Sequence, residues 1–278
     1  MAITAKQVKE LRDATSVSMM QCKKALTETN GDMEAAIKIL RERGQAAAAK
    51  RADREANEGI IAATVTADAQ TGAMVEVNCE TDFVSRNEAF QSFVNELCTK
   101  AVEFETGALG EAVSEQLVQK THEMGEKVAV RENVTMKVEG TGAIASYVHM
   151  GGRVGVLVEI GCEKAETISA PAFTGLAKDV TLHIAAAAPQ YLNRDEVPSA
   201  LLDEEMNIAR KQLEGKPENI MEGILKGKAN KFYSQICLLE QGFVKEDKLS
   251  VTKLLEQVGK ELGDTLTIKR YTRFQLGA

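Results

Sequence analysis

The side chains best suited to metal or redox chemistry are scattered along this sequence. The closest two of its five cysteines, Cys79 and Cys98, are 19 positions apart, so neighbouring cysteines form neither a CxxC redox pair nor a zinc knuckle. The three histidines, His122, His149 and His183, lack the i, i+4 spacing of a helical metal site. We therefore expect no metal, no cofactor and buried, reduced thiols, and we expect His183 to be a hydrogen-bonded core histidine.

One glycine-rich stretch matches a nucleotide-binding fingerprint. Residues 140–145 read GTGAIA, which fits the GxGxxA pattern of dinucleotide-binding folds. In those folds the glycines open a helix, whereas the residues that follow here, GAIASYVHM, are typical of a strand. We therefore interpret the stretch as a hairpin turn. The sequence also lacks a GxxxxGK[ST] phosphate loop and a recognisable serine nucleophile, which indicates that the protein is not an enzyme.

Charge and aromatic content argue against two classes of ligand. The 278 residues include 34 basic and 41 acidic side chains, a net charge of −7, and only 4% aromatic residues. Such a chain lacks both a general basic footprint and the rings on which single-stranded bases stack. Charges interrupt every apolar stretch before the roughly 18 residues of a membrane helix, and no signal-peptide pattern opens the chain. We expect a cytoplasmic protein that binds neither nucleic acid nor membranes directly.

The first 44 residues predict a module of three short helices. Thr4 and Asp32 are suited to cap the first and third helices, and Gly44 is suited to end the third. The helical period predicts one apolar face on the third helix, formed by Met33, Ala36, Ile37 and Leu40. In the second helix Met19 shares the predicted core face, whereas Met20 lies about 100° away from it. An off-phase methionine either fills a gap at the edge of a small core or anchors a partner, and both roles stay open.

Beyond an alanine-rich, charged stretch at 45–57, which predicts a helical connector, the sequence repeats itself. A shift of 83 positions aligns 59–102 with 142–185 without a gap, with eleven identities in 44 positions. In each copy two strand-like segments precede an amphipathic helix. Its predicted apolar face comprises Phe90, Phe93, Val94, Leu97 and Ala101 in the first copy, and Phe173, Leu176, Ala177, Val180 and Ile184 in the second. The sequence therefore predicts an α+β fold with two related core subdomains, at 58–140 and 141–278.

The second subdomain contains a predicted insertion. Residues 197–234 indicate an antiparallel helical hairpin with a turn at Gly215-Lys216-Pro217. One predicted seam of this coiled coil is formed by Leu202, Met206, Ala209 and Leu213. We expect an arm that makes contacts with a partner and takes no part in catalysis.

The repeat also separates residues that the scaffold requires from residues that it does not. Asp82 aligns with Ala165 and Phe83 with Glu166, so the second copy has neither a carboxylate nor a ring at these places. Phe83 could pack as a staple against the following helix or lie exposed as a partner contact. We favour a surface role, because a residue that the scaffold requires should recur in both copies.

Four segments carry a resemblance to a known family. Residues 11–44, 76–90, 146–159 and 178–192 closely resemble the translation elongation factor Ts family, in the same order and over nearly the whole chain. The resemblance implies a three-helix module like ubiquitin-associated (UBA) domains and a two-subdomain core with a coiled-coil arm. It also implies guanine-nucleotide exchange on the GTPase elongation factor Tu.

The resemblance further implies roles for individual residues. In the N-terminal module, the contact with the GTPase would be made by Arg12, Met19 and Met20. The segment that dislodges the partner's Mg²⁺ would comprise Thr81, Asp82, Phe83 and Val84. His149, within a Tyr-x-His motif, would disturb the partner's phosphate-binding loop. Such a factor acts on the nucleotide site of its partner and needs no metal or catalytic group of its own.

Two alternatives from other functional classes stay open. A noncatalytic adaptor or chaperone-like module would bind the same partner without changing the rate at which GDP dissociates. An enzyme with a carboxylate site that the sequence does not reveal is the third hypothesis. The sequence also leaves open whether the chain forms a homodimer.

Overall fold

The computed structural model describes residues 3–15, 17–213 and 218–278. Helices and strands are both abundant, in agreement with the predicted α+β class. A bundle of three helices precedes two antiparallel sheets of three strands each, and each sheet is covered by helices on its outer face. The two sheets pack face to face. Among the described helices, none is long and apolar enough to span a membrane.

The N-terminal bundle is built from helices with recognisable starting residues. Its elements are α1 (Ala5–Thr15), α2 (Met19–Glu28) and α3 (Met33–Arg51). Thr4 and Asp32 cap α1 and α3 as predicted: the Thr4 hydroxyl accepts a hydrogen bond from Gln7 N, and the Asp32 carboxylate accepts one from Ala35 N at 3.0 Å. The apolar faces meet in a small core of Val8, Leu11, Val17, Cys22, Ala25, Leu26, Ala36 and Leu40.

The first unit, residues 58–137, contains one sheet and four helices. Its elements in chain order are β1 (Glu58–Val65), β2 (Thr71–Cys79), α4 (Asp82–Ser85), α5 (Glu88–Ala101), α6 (Leu109–Ala112), α7 (Ser114–Met124) and β3 (Ala129–Lys137). The strand order is β1-β2-β3, all antiparallel. Helix α5 covers the outer face with the five apolar residues predicted for it, Phe90, Phe93, Val94, Leu97 and Ala101.

The second unit, residues 142–275, has the same sheet order with more elements inserted. The helices and strands of this unit are, in chain order, β4 (Gly142–His149), β5 (Val154–Gly161), α8 (Pro171–Ala187), α9 (Ser199–Gln212), α10 (Glu218–Ile236), β6 (Gly242–Phe243), β7 (Glu246–Ser250), α11 (Val251–Leu262) and β8 (Thr267–Gln275). The order β4-β5-β8 matches β1-β2-β3. The outer face is covered by α8, through the predicted residues Phe173, Leu176, Ala177, Val180 and Ile184.

The two sheets contact each other through equivalent residues. A Cβ built on Gly72 would lie 2.6 Å from Ile144 Cγ2, and one built on Gly155 would lie 2.5 Å from Ile61 Cγ2. The 83-residue shift relates Gly72 to Gly155 and Ile61 to Ile144. The contact is therefore reciprocal, as in the interface of a two-fold symmetric dimer, and glycine allows each sheet to approach the other closely.

Two predictions about glycine-containing segments are wrong. Helix α3 continues through Gly44 to Arg51, because Gly44 lies against α7: a Cβ there would be 3.5 Å from the Cβ of His122. The stretch at 140–145 is not a hairpin turn, because β3 and β4 belong to different sheets. It does lead into a strand, as expected, and not into the helix that a dinucleotide fingerprint requires.

Another correction concerns Ile37, predicted on the buried face of the third helix. It is 40% exposed and lines a cavity of about 550 Å³ between the bundle and α7. The helical period correctly identifies one apolar face of α3. At Ile37, however, that face borders the cavity and is not covered by other side chains.

Helices α9 and α10 pack against each other in the region predicted to form the hairpin. Met206, Ala209 and Leu213 are buried in the seam, whereas Leu202 is half-buried. The predicted turn at Gly215-Lys216-Pro217 lies outside the described residues.

The cysteines are buried and free, as predicted. Burial raises the pKa of the Cys79 and Cys98 thiols to about 12, so at neutral pH they are thiols and not reactive thiolates. His183 is also buried and satisfied: its Nε2 lies 3.0 Å from Gln241 Oε1, and its Nδ1 accepts a hydrogen bond from Val244 N at 3.2 Å.

Candidate functional site

The loop after β2 exposes an aromatic ring. Thr81 caps the four-residue helix α4: its backbone is extended, and its hydroxyl accepts a hydrogen bond from Val84 N. Phe83 follows and is 83% exposed, the highest value among the large hydrophobic side chains that the structure describes. A staple packed against the next helix would be buried, so that interpretation of Phe83 is wrong. Asp82 forms an ion pair with Arg86 at 3.0 Å, and Val84 packs toward the core.

The loop between β4 and β5 forms a second exposed point. His149 ends β4, and the next three residues, Met150, Gly151 and Gly152, have φ values of +51°, +65° and +95°. Tyr147 Oη lies 2.8 Å from His149 Nδ1, with the two rings 5.7 Å apart. This hydrogen bond occupies Nδ1 of the exposed His149 side chain.

Both exposed loops are attached to strand β1. Gly152 O accepts a hydrogen bond from Ile61 N at 2.8 Å, and a Cβ on Gly152 would lie 2.6 Å from Ile60 Cγ2. Val84, on the other loop, packs in the same hydrophobic cluster as Ile60. Arg153 and Glu58 add an ion pair at 3.7 Å between the second loop and the start of β1. The structure therefore brings the predicted segment 81–84 and His149 to one end of β1.

The remaining predicted site residues lie on the N-terminal bundle. Arg12 is exposed on α1, and Met19 and Met20 begin α2. Met20 is 76% exposed, so it does not fill a gap in the small core. Met19, predicted on the core face, is 41% exposed. A helical side chain leans toward the N-terminus of its helix, so Met19, at the first position of α2, extends beyond the core.

Sequence reasoning missed two features of this site. Met150 is exposed beside His149. Its positive φ marks it as unusual, but this angle can be seen only in the structure. Glu126 binds Thr81 from a position 45 residues away, and no local pattern connects the two.

Within the described ranges, no group of three or more His, Cys, Asp or Glu side chains is placed to hold a metal ion. The candidate site is instead an exposed surface with one ring, one carboxylate and one imidazole on two braced loops. Such a surface is suited to insert side chains into a partner protein.

Comparison with known proteins identifies the family. A sequence model of the elongation factor Ts family matches residues 80–278. Elongation factor Ts of Trichlorobacter lovleyi is 43% identical, with 100% of this chain and 93% of that protein aligned. The Nitratidesulfovibrio vulgaris protein of the same name is 43% identical over 100% of this chain and 96% of its own length, and that of Clostridium perfringens 44% over 99% and 93%. The chain therefore belongs to the elongation factor Ts family of translation elongation factors.

Proposed function

We propose that this chain is a guanine-nucleotide exchange factor that binds elongation factor Tu in its GDP form and promotes replacement of GDP by GTP. The observation that carries the proposal is the pair of exposed loops at one end of β1, on which the side chains of Phe83 and His149 are exposed. We place this activity in the cytoplasm, with a protein and not nucleic acid as the direct partner.

The mechanism follows from how a GTPase holds GDP. Backbone amides of the phosphate-binding loop and a bridging Mg²⁺ supply most of the contacts with the phosphates. Residues Thr81 to Val84 would dislodge the Mg²⁺ of the partner, and His149 would disturb its phosphate-binding loop. By thermodynamic linkage, a factor that weakens GDP binding is itself bound less tightly when GDP is present. GTP binding then completes the cycle by displacing the factor.

The N-terminal bundle supplies a separate contact in this proposal. Arg12, Met19 and Met20 are all exposed, and methionine adapts its shape to an apolar partner surface. With two loops, a bundle and an arm engaged, the interface would exceed about 1,000 Å², the size of a specific complex. The chain needs no catalytic group of its own, because the free energy of binding to the partner is what weakens the partner's hold on GDP.

Release of a fluorescent GDP analogue from purified elongation factor Tu tests the proposal. The partner is loaded with the analogue and mixed with excess unlabelled GDP, with and without this chain at micromolar concentration. We expect faster loss of fluorescence that saturates with the concentration of the chain. An unchanged rate of release overturns the proposal. If binding is nevertheless detected, that result supports the adaptor alternative.

A further inference from the structure

One carboxylate outside the exposed loop holds the residue that organises it. Gly125 ends α7 in the left-handed conformation, with φ +74°, and Glu126 follows it. Glu126 Oε2 accepts a hydrogen bond from Thr81 N at 3.0 Å, and Glu126 Oε1 accepts one from the Thr81 hydroxyl at 2.8 Å. Both oxygens of Glu126 therefore bind one residue, and charge makes these hydrogen bonds stronger than neutral ones.

Thr81 in turn fixes the helix that bears Phe83. Its hydroxyl oxygen lies 3.5 Å from Val84 N, the capping contact, and its carbonyl accepts a hydrogen bond from Ser85 N at 3.3 Å. A helix of four residues cannot be stable by itself, since nucleation is unfavourable. Phe83 is too exposed to be held by packing. The direction of its ring therefore depends on the backbone that Thr81 anchors.

A second carboxylate also connects the loop to the turn after α7, but this one lies on the loop and accepts a hydrogen bond from the turn. Glu80 Oε1 accepts a hydrogen bond from Lys127 N at 2.7 Å, and Arg54 pairs with Glu80 at 3.0 Å. Neighbouring residues of each segment thus exchange hydrogen bonds: Glu80 with Lys127, and Thr81 with Glu126. The loop is cross-linked to the turn after α7 at two adjacent points.

The second unit contains the same device without the ring. Asp264, after α11, accepts hydrogen bonds from Glu163 N at 3.0 Å, from Lys164 N at 3.1 Å and from the Thr167 hydroxyl at 2.5 Å. Lys164 aligns with Thr81 under the 83-residue shift. In both units, therefore, a carboxylate binds the loop that follows the second strand. A substitution of Asp264 can thus serve as the matched control for a substitution of Glu126.

We propose that Glu126 is a positioning residue for nucleotide exchange: by binding the backbone and hydroxyl of Thr81, it fixes the orientation in which Asp82 and Phe83 meet the partner. This inference rests on the proposed function. Glu126 need not touch the partner, and its loss removes no contacting side chain. It increases the freedom of the contacting loop, which must then be ordered when the complex forms.

The test compares Glu126→Ala with Asp264→Ala in the full-length chain. Release of labelled GDP from elongation factor Tu is measured over a range of factor concentrations, at a temperature where both variants are folded. We expect Glu126→Ala to lower the maximal exchange rate about tenfold, since a misplaced group costs up to about a hundredfold. Asp264→Ala should leave that rate unchanged. Glu126→Gln, whose amide oxygen can still accept from Thr81 N, should recover most of the rate.

A readout without the partner separates this inference from the proposed function. Amide hydrogen exchange at Thr81 and Val84 should be slow in the wild type and clearly faster in Glu126→Ala. Unchanged exchange at these amides overturns the inference even if the chain has no effect on GDP release. Equal slowing of GDP release by Glu126→Ala and Asp264→Ala also overturns it, since the clamp would then only stabilise the fold. If the alanine variant does not fold, Glu126→Met and Asp264→Leu serve as the pair, because they keep the approximate size of each side chain without its acceptor oxygens. Only Glu126→Met should then show faster Thr81 amide exchange.

Discussion

The two units end their second strand in different ways. After β2 the first unit forms a short α-helix with an exposed Phe83, whereas after β5 the second unit forms a 3-10 helix, Ala165–Ser169, that contains no aromatic residue. Both loops are nevertheless clamped by a carboxylate that follows the helix before the third strand. The scaffold therefore requires the clamped turn but not the side chain displayed on it, so surface chemistry can change there without cost to folding.

A second contrast lies in the ion pairs of the central strands. Glu76 and Glu159 are equivalent and both buried, but their arginines differ. Arg131 approaches Glu76 at 3.4 Å, whereas Arg270 approaches Glu159 at 2.8 Å and also pairs with Glu139 at 3.3 Å. We therefore expect the free energy of unfolding to depend more strongly on Arg270 than on Arg131.

The largest effect on stability is expected from Arg270→Ala. Glu159 is 1% exposed, and its charge would lose its arginine at a cost of about 3 kcal/mol. This is near the lower limit for a broken buried pair, because Arg270 is partly exposed and Glu139 N still donates to Glu159 at 2.7 Å. Arg131→Ala should cost about 1 kcal/mol, since Asn78 still donates to Glu76 at 3.0 Å. Urea unfolding measures both. Glu159→Gln should relieve the Arg270→Ala variant, and equal costs for the two arginines would contradict the contrast.

The next effect is functional. Asp82→Ala combined with Phe83→Ala should slow exchange roughly 30-fold, the equivalent of about 2 kcal/mol for an interface hot spot. The unfolding free energy should change by less than about 0.5 kcal/mol, because the ring is exposed. Glu166→Ala, at the aligned and exposed position of the second unit, should change neither quantity. Native exchange by the double variant would refute the assigned role of this segment.

A smaller effect is expected at the contact between the sheets. Gly72→Ala and Gly155→Ala should each destabilise the fold by about 1–2 kcal/mol through overpacking. Gly155→Ala should be the worse of the two, since its Cβ would lie 2.5 Å from Ile61 Cγ2 and 2.6 Å from Met74 Sδ. Thermal unfolding provides the measurement. Gly175→Ala in α8, where a Cβ meets nothing within 4 Å, should be neutral or stabilising. A neutral result at both sheet positions would mean that the units are not closely packed.

The smallest expected effect is a pH dependence of stability that arises in α8, through His183, and not in α5. Burial lowers the pKa of His183 below 6.5, against the opposing effect of the hydrogen bond that its Nε2 donates to Gln241 Oε1. The unfolded state therefore binds more protons below pH 6.5, and stability should fall as the pH decreases through this value and through the lower folded pKa. We expect the decrease in Tm between pH 7.5 and 5.5 to be a few degrees. Lys100, the equivalent residue in the first unit, is exposed.

Two controls isolate the contribution of His183. Burial and the nearby charge of Arg51 also lower the pKa of His122, so His122 contributes with the same sign. His183→Asn should reduce the pH dependence and His122→Asn should leave the His183 part intact, whereas Lys100→Ala should not alter it. A pH profile unaffected by His183→Asn would contradict the assignment.

The sequence predicted those features that depend on neighbouring residues. The caps at Thr4 and Asp32 are local hydrogen bonds, and the buried faces of α5 and α8 follow the helical period. The alignment of Phe83 with a glutamate correctly favoured exposure over packing.

The errors and omissions share a different physical cause. Gly44 reads as a helix end, but its neighbour is a helix more than 60 residues away in sequence. The prediction of a hairpin turn at 140–145 is wrong, because strand pairing depends on partners far along the chain. Glu126 could not be found at all, because its role exists only where α7 and the loop meet. Local chemistry is readable from sequence, whereas close approach between distant segments is not.

The reciprocal contact between the two sheets has a consequence for behaviour on dilution. Two separate chains joined by such a patch would dissociate when their concentration falls below the dissociation constant. Here residues 138–141 connect β3 to β4, and so short a tether keeps the units at an effective concentration of millimolar or more. The relative placement of the two exposed loops is therefore the same in a dilute assay as in a crowded cell.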